Sequence, residues 1–450
     1  MDSALRLIVE KVAVSSQEVV KRDTIKIYDM QRPEASIDLG LRHAEQISLL
    51  EKIQNAVLAE QAGLMDSGVE SCPKCGHKLR KNGVHVSDFH AVLSDHTLRL
   101  QRHCCSNTAC HWQGASTIHA VFGTTIHPDL AQWHCEHGAL SSSREAERNL
   151  GKLHGHPRSV NNHAQVKRMT ATVGHLLAEH NGIPPAAQAC APPARDLIIQ
   201  VAGGHIPIQE KAQRSVEAVS AVVYRPEAIR TVDKPHREMS EKTWGVSAKD
   251  DHLPSSKTCL MHGALKQGLC RATHVTARAD GAKHCWTVLG ALHPSCATLE
   301  GMLDWFHLGK KGQTGQNALG EALEASLERA KWTLWHGKAE EALATLAFLR
   351  NKITDEAQKS QMTGLSHSIE RNQASIVNDD ERATAHKTYT SQGAEAHIET
   401  LMNARQKQTR KMQWSREGAD NVLQIRATMA SKAWVSKWQS TVLAALGATA

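Results

Sequence analysis

The run Leu197-Ile-Ile-Gln-Val-Ala-Gly-Gly-His205 constrains this chain more than any other stretch. Branched apolar residues dominate its first half, which is the composition of a strand covered on both faces. A sheet between two layers supplies that double cover, so the run predicts an α/β core. The Gly203-Gly204 pair that ends it lets the backbone turn sharply or lets another group approach closely.

At 450 residues the chain exceeds one compact core and suggests two to four domains. Hydrophobic residues make up 41% and charged residues 22%, the balance of a soluble globular protein. No apolar run approaches the ~18 residues of a bilayer span and no signal-peptide pattern is present, so a cytoplasmic chain without a membrane partner is expected. A net charge of +7 favours a polyanionic partner. Eleven cysteines in such a chain point to metal binding or buried thiols rather than disulfides.

Residues 1–64 are expected to be helical, because Leu41, Ile47, Leu50, Ile53, Val57 and Leu58 recur at helical spacing. Residues 65–126 read as a zinc ribbon. Cys72-Pro-Lys-Cys75-Gly is one knuckle, Cys104-Cys105 and Cys110 form the second, and Val84–Phe89 and Thr97–Arg102 alternate as a hairpin between them. Four soft thiolates suit Zn²⁺, so Cys72, Cys75, Cys105 and Cys110 are the expected ligands, with Cys104 as the substitute for Cys105. Residues 127–181 outline a helix-turn-helix: one helix from Ser141 to Leu153, a break at His154-Gly-His-Pro157, and a second, basic helix from near Ser159. Arg158, Lys167 and Arg168 are its expected DNA contacts. The prolines of 182–194 mark a linker between domains.

Beyond the linker, 195–309 alternates strands with turns. Strands are expected at Leu197–Val201, Val216–Tyr224, Lys242–Val246, Thr273–Ala279 and around Met302–His307. Three strands, a helix and another strand is the order of an RNase H-like sheet. A helical insertion is expected over 310–385, with Trp332 and Trp335 in its core, and a long helix within 386–450.

Several motifs resemble those of ISKra-type insertion-sequence transposases, DDE enzymes with an RNase H-like catalytic domain. They are Val201-Ala-Gly-Gly-His-Ile206, Arg278-Ala-Asp-Gly-Ala282, Leu303-Asp-Trp-Phe-His307, Thr390-Ser-Gln-Gly-Ala-Glu-Ala-His-Ile-Glu399 and Met412-Gln-Trp-Ser-Arg416. The resemblance implies a first catalytic position at Ala202, where the family has aspartate, a second at Asp280 and a third at Glu399, with Glu395 as the fallback. Asp304 and His307 match an accessory motif of Mutator-like relatives, and Lys407, Arg410, Lys411 and Arg416 form a basic run suited to DNA phosphates. The implied cofactors are two Mg²⁺ or Mn²⁺ ions, held by carboxylates, besides the structural Zn²⁺. The implied activity is metal-dependent strand cleavage and strand transfer on double-stranded DNA, transposon ends and target, by a nucleoid-associated homodimer or higher oligomer. Alanine at 202 offers no ligand oxygen, so end binding with severely impaired cleavage is expected. The rival reading is a non-catalytic DNA-binding regulator that keeps the fold as a scaffold.

Overall fold

A computed structural model describes residues 3–66, 70–114, 117–154, 157–233, 236–304, 321–385, 387, 399–407 and 412–448. The chain divides into two compact units, Met1–Thr170 with Trp438–Ala450, and Ala171–Lys437.

The first unit opens with an antiparallel hairpin of β1 (Ser3–Val12) and β2 (Val19–Met30). This corrects the helical expectation for 1–64: the helical periodicity begins only at Leu41, and the residues before it are rich in Val and Ile, which favour strands. Helix α1 (His43–Asp66) follows and packs Leu58 and Ala62 against Leu98, Leu100 and Ile118. The expected hairpin is present as β3 (Leu79–His90) and β4 (Asp95–Cys105), which pair antiparallel.

Helices α2 (Ile118–Phe122), α3 (Pro128–Leu140), α4 (Ser143–His154) and α5 (His163–Asn181) complete the unit as far as Thr170. Helices α4 and α5 are joined through Ala146, Leu150 and Val166, all without exposed surface. Glu147 on α4 accepts the His163 backbone N–H at 3.0 Å and so satisfies a free donor at the start of α5.

In the second unit the 182–194 segment is a packed connector rather than a free linker. The Ala191 and Ala194 amides donate to the carbonyls of Lys266 and Gly268 at 2.9 and 2.8 Å, and Arg225 donates to the Pro192 carbonyl. The division between units falls inside α5 instead. Proline lacks a donor but keeps its acceptor, so a proline-rich stretch can still be anchored through its carbonyls.

The core strands are β5 (Asp196–Pro207), β6 (Ser215–Tyr224), β9 (Thr243–Ser247), β10 (His274–Ala279) and β11 (Thr298–Leu303). Between β6 and β9 lies a small separate hairpin, β7 (Ile229–Asp233) and β8 (His236–Met239). The five core strands form one mixed sheet in the order β11-β10-β5-β6-β9. β5, β6 and β9 pair antiparallel; β5, β10 and β11 run parallel.

Helices α6 (Pro254–Lys266) and α7 (Lys283–Leu289) lie on the connections into and out of β10. They cover the face carrying Leu197, Ile199 and Val201, while Ile198, Ile206 and Val222 pack on Leu401, Met402, Val422 and Leu423. The double cover read from the Leu197 run is therefore real.

Helices Glu321–Trp335, Ala339–Lys352 and Glu356–Arg371 share a core of Leu327, Leu334, Leu346, Leu349, Met362 and Ile369. Trp332, expected in that core, is 50% exposed and meets Trp335 edge to face. The expected long late helix is two elements, a π-helical turn Glu399–Lys407 and a helix Arg416–Ala430. Trp414 interrupts them by bridging to β5, its N–H on the Pro207 carbonyl at 3.0 Å, and Ser415 then caps the second helix through the Gly418 amide. Among the described residues, no helix is long and apolar enough to cross a membrane.

Candidate metal centre and the carboxyl ends of the parallel strands

The first knuckle turns because the Gly76 amide donates to the Cys72 carbonyl at 2.8 Å. This brings Cys72, Cys75, Cys105 and Cys110 together, with all ligand atoms within 4.8 Å of one another. Cys72 and Cys110 sulfurs are 3.7 Å apart, and those of Cys75 and Cys105 are 3.4 Å apart. Four Zn–S bonds of ≈ 2.3 Å in a tetrahedron imply S···S edges of about 3.8 Å, so the spacing suits a metal ion.

Backbone amides of His77, Asn107 and Trp112 point at the sulfurs of Cys75, Cys105 and Cys110. The amide of His77 leads in lowering the Cys75 thiol to about 6, against burial, whereas burial pushes Cys105 up. A cation among the four would stabilise every thiolate at once. Cys104, the substitute ligand, is excluded: its sulfur accepts the Arg80 Nε–H at 3.1 Å and stays outside the cluster.

The second constellation follows from sheet register. Val201 pairs with Ala279, and Ala279 with Leu303, so the next residues, Ala202, Asp280 and Asp304, stand in one register where the parallel ladder ends; β10 and β11 stop there, while β5 runs on to Pro207 against β6. The Asp304 amide extends the ladder onto the Ala279 carbonyl at 2.9 Å. Ala202 is 8% exposed, and its carbonyl accepts the Ser220 hydroxyl at 3.3 Å.

Asp280 Oδ1 accepts the Ala282 amide at 2.9 Å, which fixes the turn into α7. Gly281 has φ +89°, and a Cβ there would stand 2.8 Å from Leu303 Cδ1, so glycine is required on both counts. Asn372 clamps the turn by donating to the Gly281 carbonyl while accepting the Trp286 indole N–H at 2.7 Å. The helices after residue 321 thereby brace the Asp280 turn.

One residue before Ala279 in β10 lies Arg278, 3% exposed, whose guanidinium nitrogens have no hydrogen-bond partner among the described residues. Burial lowers its pKa, and the charges of Asp304 and Asp379 oppose that effect. Burial raises Asp379 to about 6. Cys285 is fully buried; burial, then the charge of Asp280, pushes its thiol far up, so it stays protonated and inert.

Glu399 begins the π-helical turn, and that turn packs on β5: a Cβ on Gly204 would stand 2.8 Å from Met402 Cε and 3.2 Å from Lys407 Nζ. Glu395, His307, Arg410 and Lys411 lie outside the described residues, as does the side chain of Glu399.

Two groups beside these strand ends were not anticipated. Glu217 Oε1 on β6 lies 3.3 Å from His284 Nε2 on α7. A Cβ on Gly203 would come 2.5 Å from that same nitrogen, so the first glycine of the Gly203-Gly204 pair makes room for the imidazole. With His205, Lys249 and His252 they line a cleft of about 590 Å³. The available signal was Glu217 itself, a lone acid in an otherwise apolar strand.

No family model matches the chain, and no curated protein matches it either.

The expected DNA contacts divide sharply. Lys167 and Arg168 on α5 are exposed, as expected of a groove-facing helix. Arg158 is not: it is 6% exposed and gives its guanidinium to the carbonyls of Ala91, Val92 and Ser94 and to Asp95. It is a structural clamp on the β3–β4 turn and must be removed from the DNA-contact set. Arg416 is likewise engaged by Glu210 and Asp250. Arg144, Arg148 and Lys152, which were not among the expected contacts, are exposed and recur every fourth residue along one face of α4. Their regular spacing was the signal.

Proposed function

We propose that the chain is a DDE-type DNA transposase, with an RNase H-like core in the second unit and DNA-end binding through the first. The observation that carries this reading is the register that aligns Asp280 and Asp304, at the carboxyl ends of β10 and β11, with Ala202 on β5 where its parallel pairing stops; carboxyl ends of parallel strands are the place where open α/β sheets hold ligands. The strand order β11-β10-β5-β6-β9, parallel from β11 to β5 and antiparallel from β5 to β9, supports the same reading.

Asp280 and Asp304 sit on strands about 4.8 Å apart and offer the oxygen ligands that Mg²⁺ or Mn²⁺ prefers. Glu399 enters on the element packed against β5. The donor set fits such ions except at Ala202, where an oxygen is missing. When bound, divalent ions would activate the attacking oxygen and stabilise the leaving one in an in-line displacement at phosphorus. The protein's own part is positional. The Gly281 turn holds Asp280 in place, buried Cys285 and Leu303 keep water from beneath it, and Lys407 beside Gly204 offers a cation to a phosphate. The four-cysteine centre, as a structural zinc site, fixes the β3–β4 hairpin. Lys167 and Arg168, together with the α4 row, bind the DNA backbone. Joining two ends calls for at least two copies on the DNA, within the nucleoid.

Ala202 itself favours a second reading, a DNA-binding regulator that keeps the sheet as a scaffold. Comparing the chain with Ala202→Asp, both given Mg²⁺ and a duplex carrying the element's ends, separates the two. Cleavage by the aspartate form alone supports the transposase. End binding without cleavage by either form supports the regulator, and equal cleavage by both refutes the role given to position 202.

A further inference from the structure

A different cluster of titratable groups lies where α5, the 182–194 segment, α6 and Lys437 meet within the second unit. The rings of His180 and His262 pack edge to face, with centroids 5.7 Å apart. His262 is 4% exposed, and its Nδ1 lies 2.7 Å from the Ile183 carbonyl oxygen. That contact puts the proton on Nδ1, so Nε2 of the neutral ring is a bare acceptor, buried and without a hydrogen-bond partner among the described residues.

Lys266 follows His262 by one turn of α6 and is half-buried, as is Lys437. Both ammonium groups act on both rings, and Lys266 acts on Lys437. Burial, followed by these neighbouring charges, lowers His180 to about 4 and Lys437 to about 8. No carboxylate among the described residues acts on these four groups; the opposing influences are the Ile183 carbonyl on His262 and the Cys190 thiol on Lys266.

Cations withdrawn from water are normally matched by anions or carboxylates. Two half-buried lysines acting on two packed imidazoles, with no such match among the described residues, are unfavourable when empty. We propose that His180, His262, Lys266 and Lys437 form a binding site for a phosphate-type oxyanion. The two ammonium groups supply several N–H donors and neutralise the charge. The His262 ring takes a proton from solvent on Nε2 as the anion enters, which turns an orphaned acceptor into a donor. His180, beside it, gains a proton for the same reason. Binding is therefore coupled to proton uptake and strengthens as pH falls. This inference stands apart from the transposase reading, because it invokes neither the strand ends nor DNA cleavage.

The test is calorimetric titration of the full chain with inorganic phosphate and, separately, with sulfate, in chloride buffer at about pH 6 and about pH 8. Sulfate keeps its double charge at both values and so isolates the protonation of the protein. Saturable binding with net proton uptake, tighter at the lower pH, is expected. Loss of one charged donor in Lys266→Met or Lys437→Gln should weaken it about tenfold or more. Each variant removes a repelled charge, so each should fold, and circular dichroism checks this. Binding no tighter than chloride, or unchanged in both variants, overturns the proposal. A short DNA duplex that competes with phosphate for the intact chain identifies the source as the nucleic-acid backbone; a duplex that does not compete identifies a free anion.

Discussion

Replacing Arg158 by methionine keeps most of its aliphatic stem and removes only the guanidinium. The side chain is 1% exposed at its ion pair with Asp95, while the Asp95 carboxylate is 43% exposed. Nη1 donates to the Val92 carbonyl at 2.8 Å, Nη2 to those of Ala91 and Ser94 at 3.0 and 2.9 Å, and Nε to Asp95 at 3.1 Å. Three carbonyls and a carboxylate thus lose one buried charged donor. Each hydrogen bond to a charged group is worth ≈ 1.5–3 kcal/mol, but the half-exposed carboxylate regains water, so the sum is discounted to a loss of about 3–5 kcal/mol. Urea unfolding followed by circular dichroism should show a lower midpoint at an unchanged slope. Lys167→Ala and Arg168→Ala, on the exposed face of α5, should stay within about 0.5 kcal/mol while weakening DNA binding and flattening its salt dependence. A stable Arg158→Met that loses DNA binding specifically would refute the clamp and restore Arg158 as a contact.

The metal centre predicts that Cys105→Ser loses bound zinc and unfolds the hairpin region, whereas Cys104→Ser retains about one equivalent; metal analysis of reduced protein decides, and equal losses would reject the ligand set. Burial raises Asp379 to about 6 in the folded chain, above its unfolded value, so the folded state binds the extra proton between roughly pH 4 and pH 6. Stability from this group is then present at the acid end of that window and is lost as pH rises through about 6. Asp379→Asn should flatten that slope and raise stability at neutral pH by about 1–2 kcal/mol in urea titrations; a steeper slope would contradict the assignment.

Elements whose signal is local were legible in the chain itself. The four cysteine ligands follow from two knuckles and an alternating hairpin, because a thiolate cluster depends on turn geometry and strand register over about forty residues. The core strands and the double cover of β5 followed in the same way from composition. The N-terminal hairpin was missed because one helical stripe was extended over residues that do not share it, and the late helix because nothing local announces that Trp414 will pair with β5.

By itself, then, the sequence determined which segments must be buried, where the thiolates gather, and that position 202 carries no oxygen ligand. Tertiary structure alone decided which charges are available. Arg158 and Lys167 look alike in a row of basic residues, yet one is consumed by three carbonyls and an aspartate and the other faces solvent. It also decided that Ala202 in β5 falls in register with Asp280 and Asp304, the residues that follow β10 and β11. Likewise, His180, His262, Lys266 and Lys437 act on one another with no carboxylate acting on them among the described residues, although they span much of the second unit in sequence. Burial and pairing are properties of long-range contacts, and those depend on which distant segments the hydrophobic core draws together.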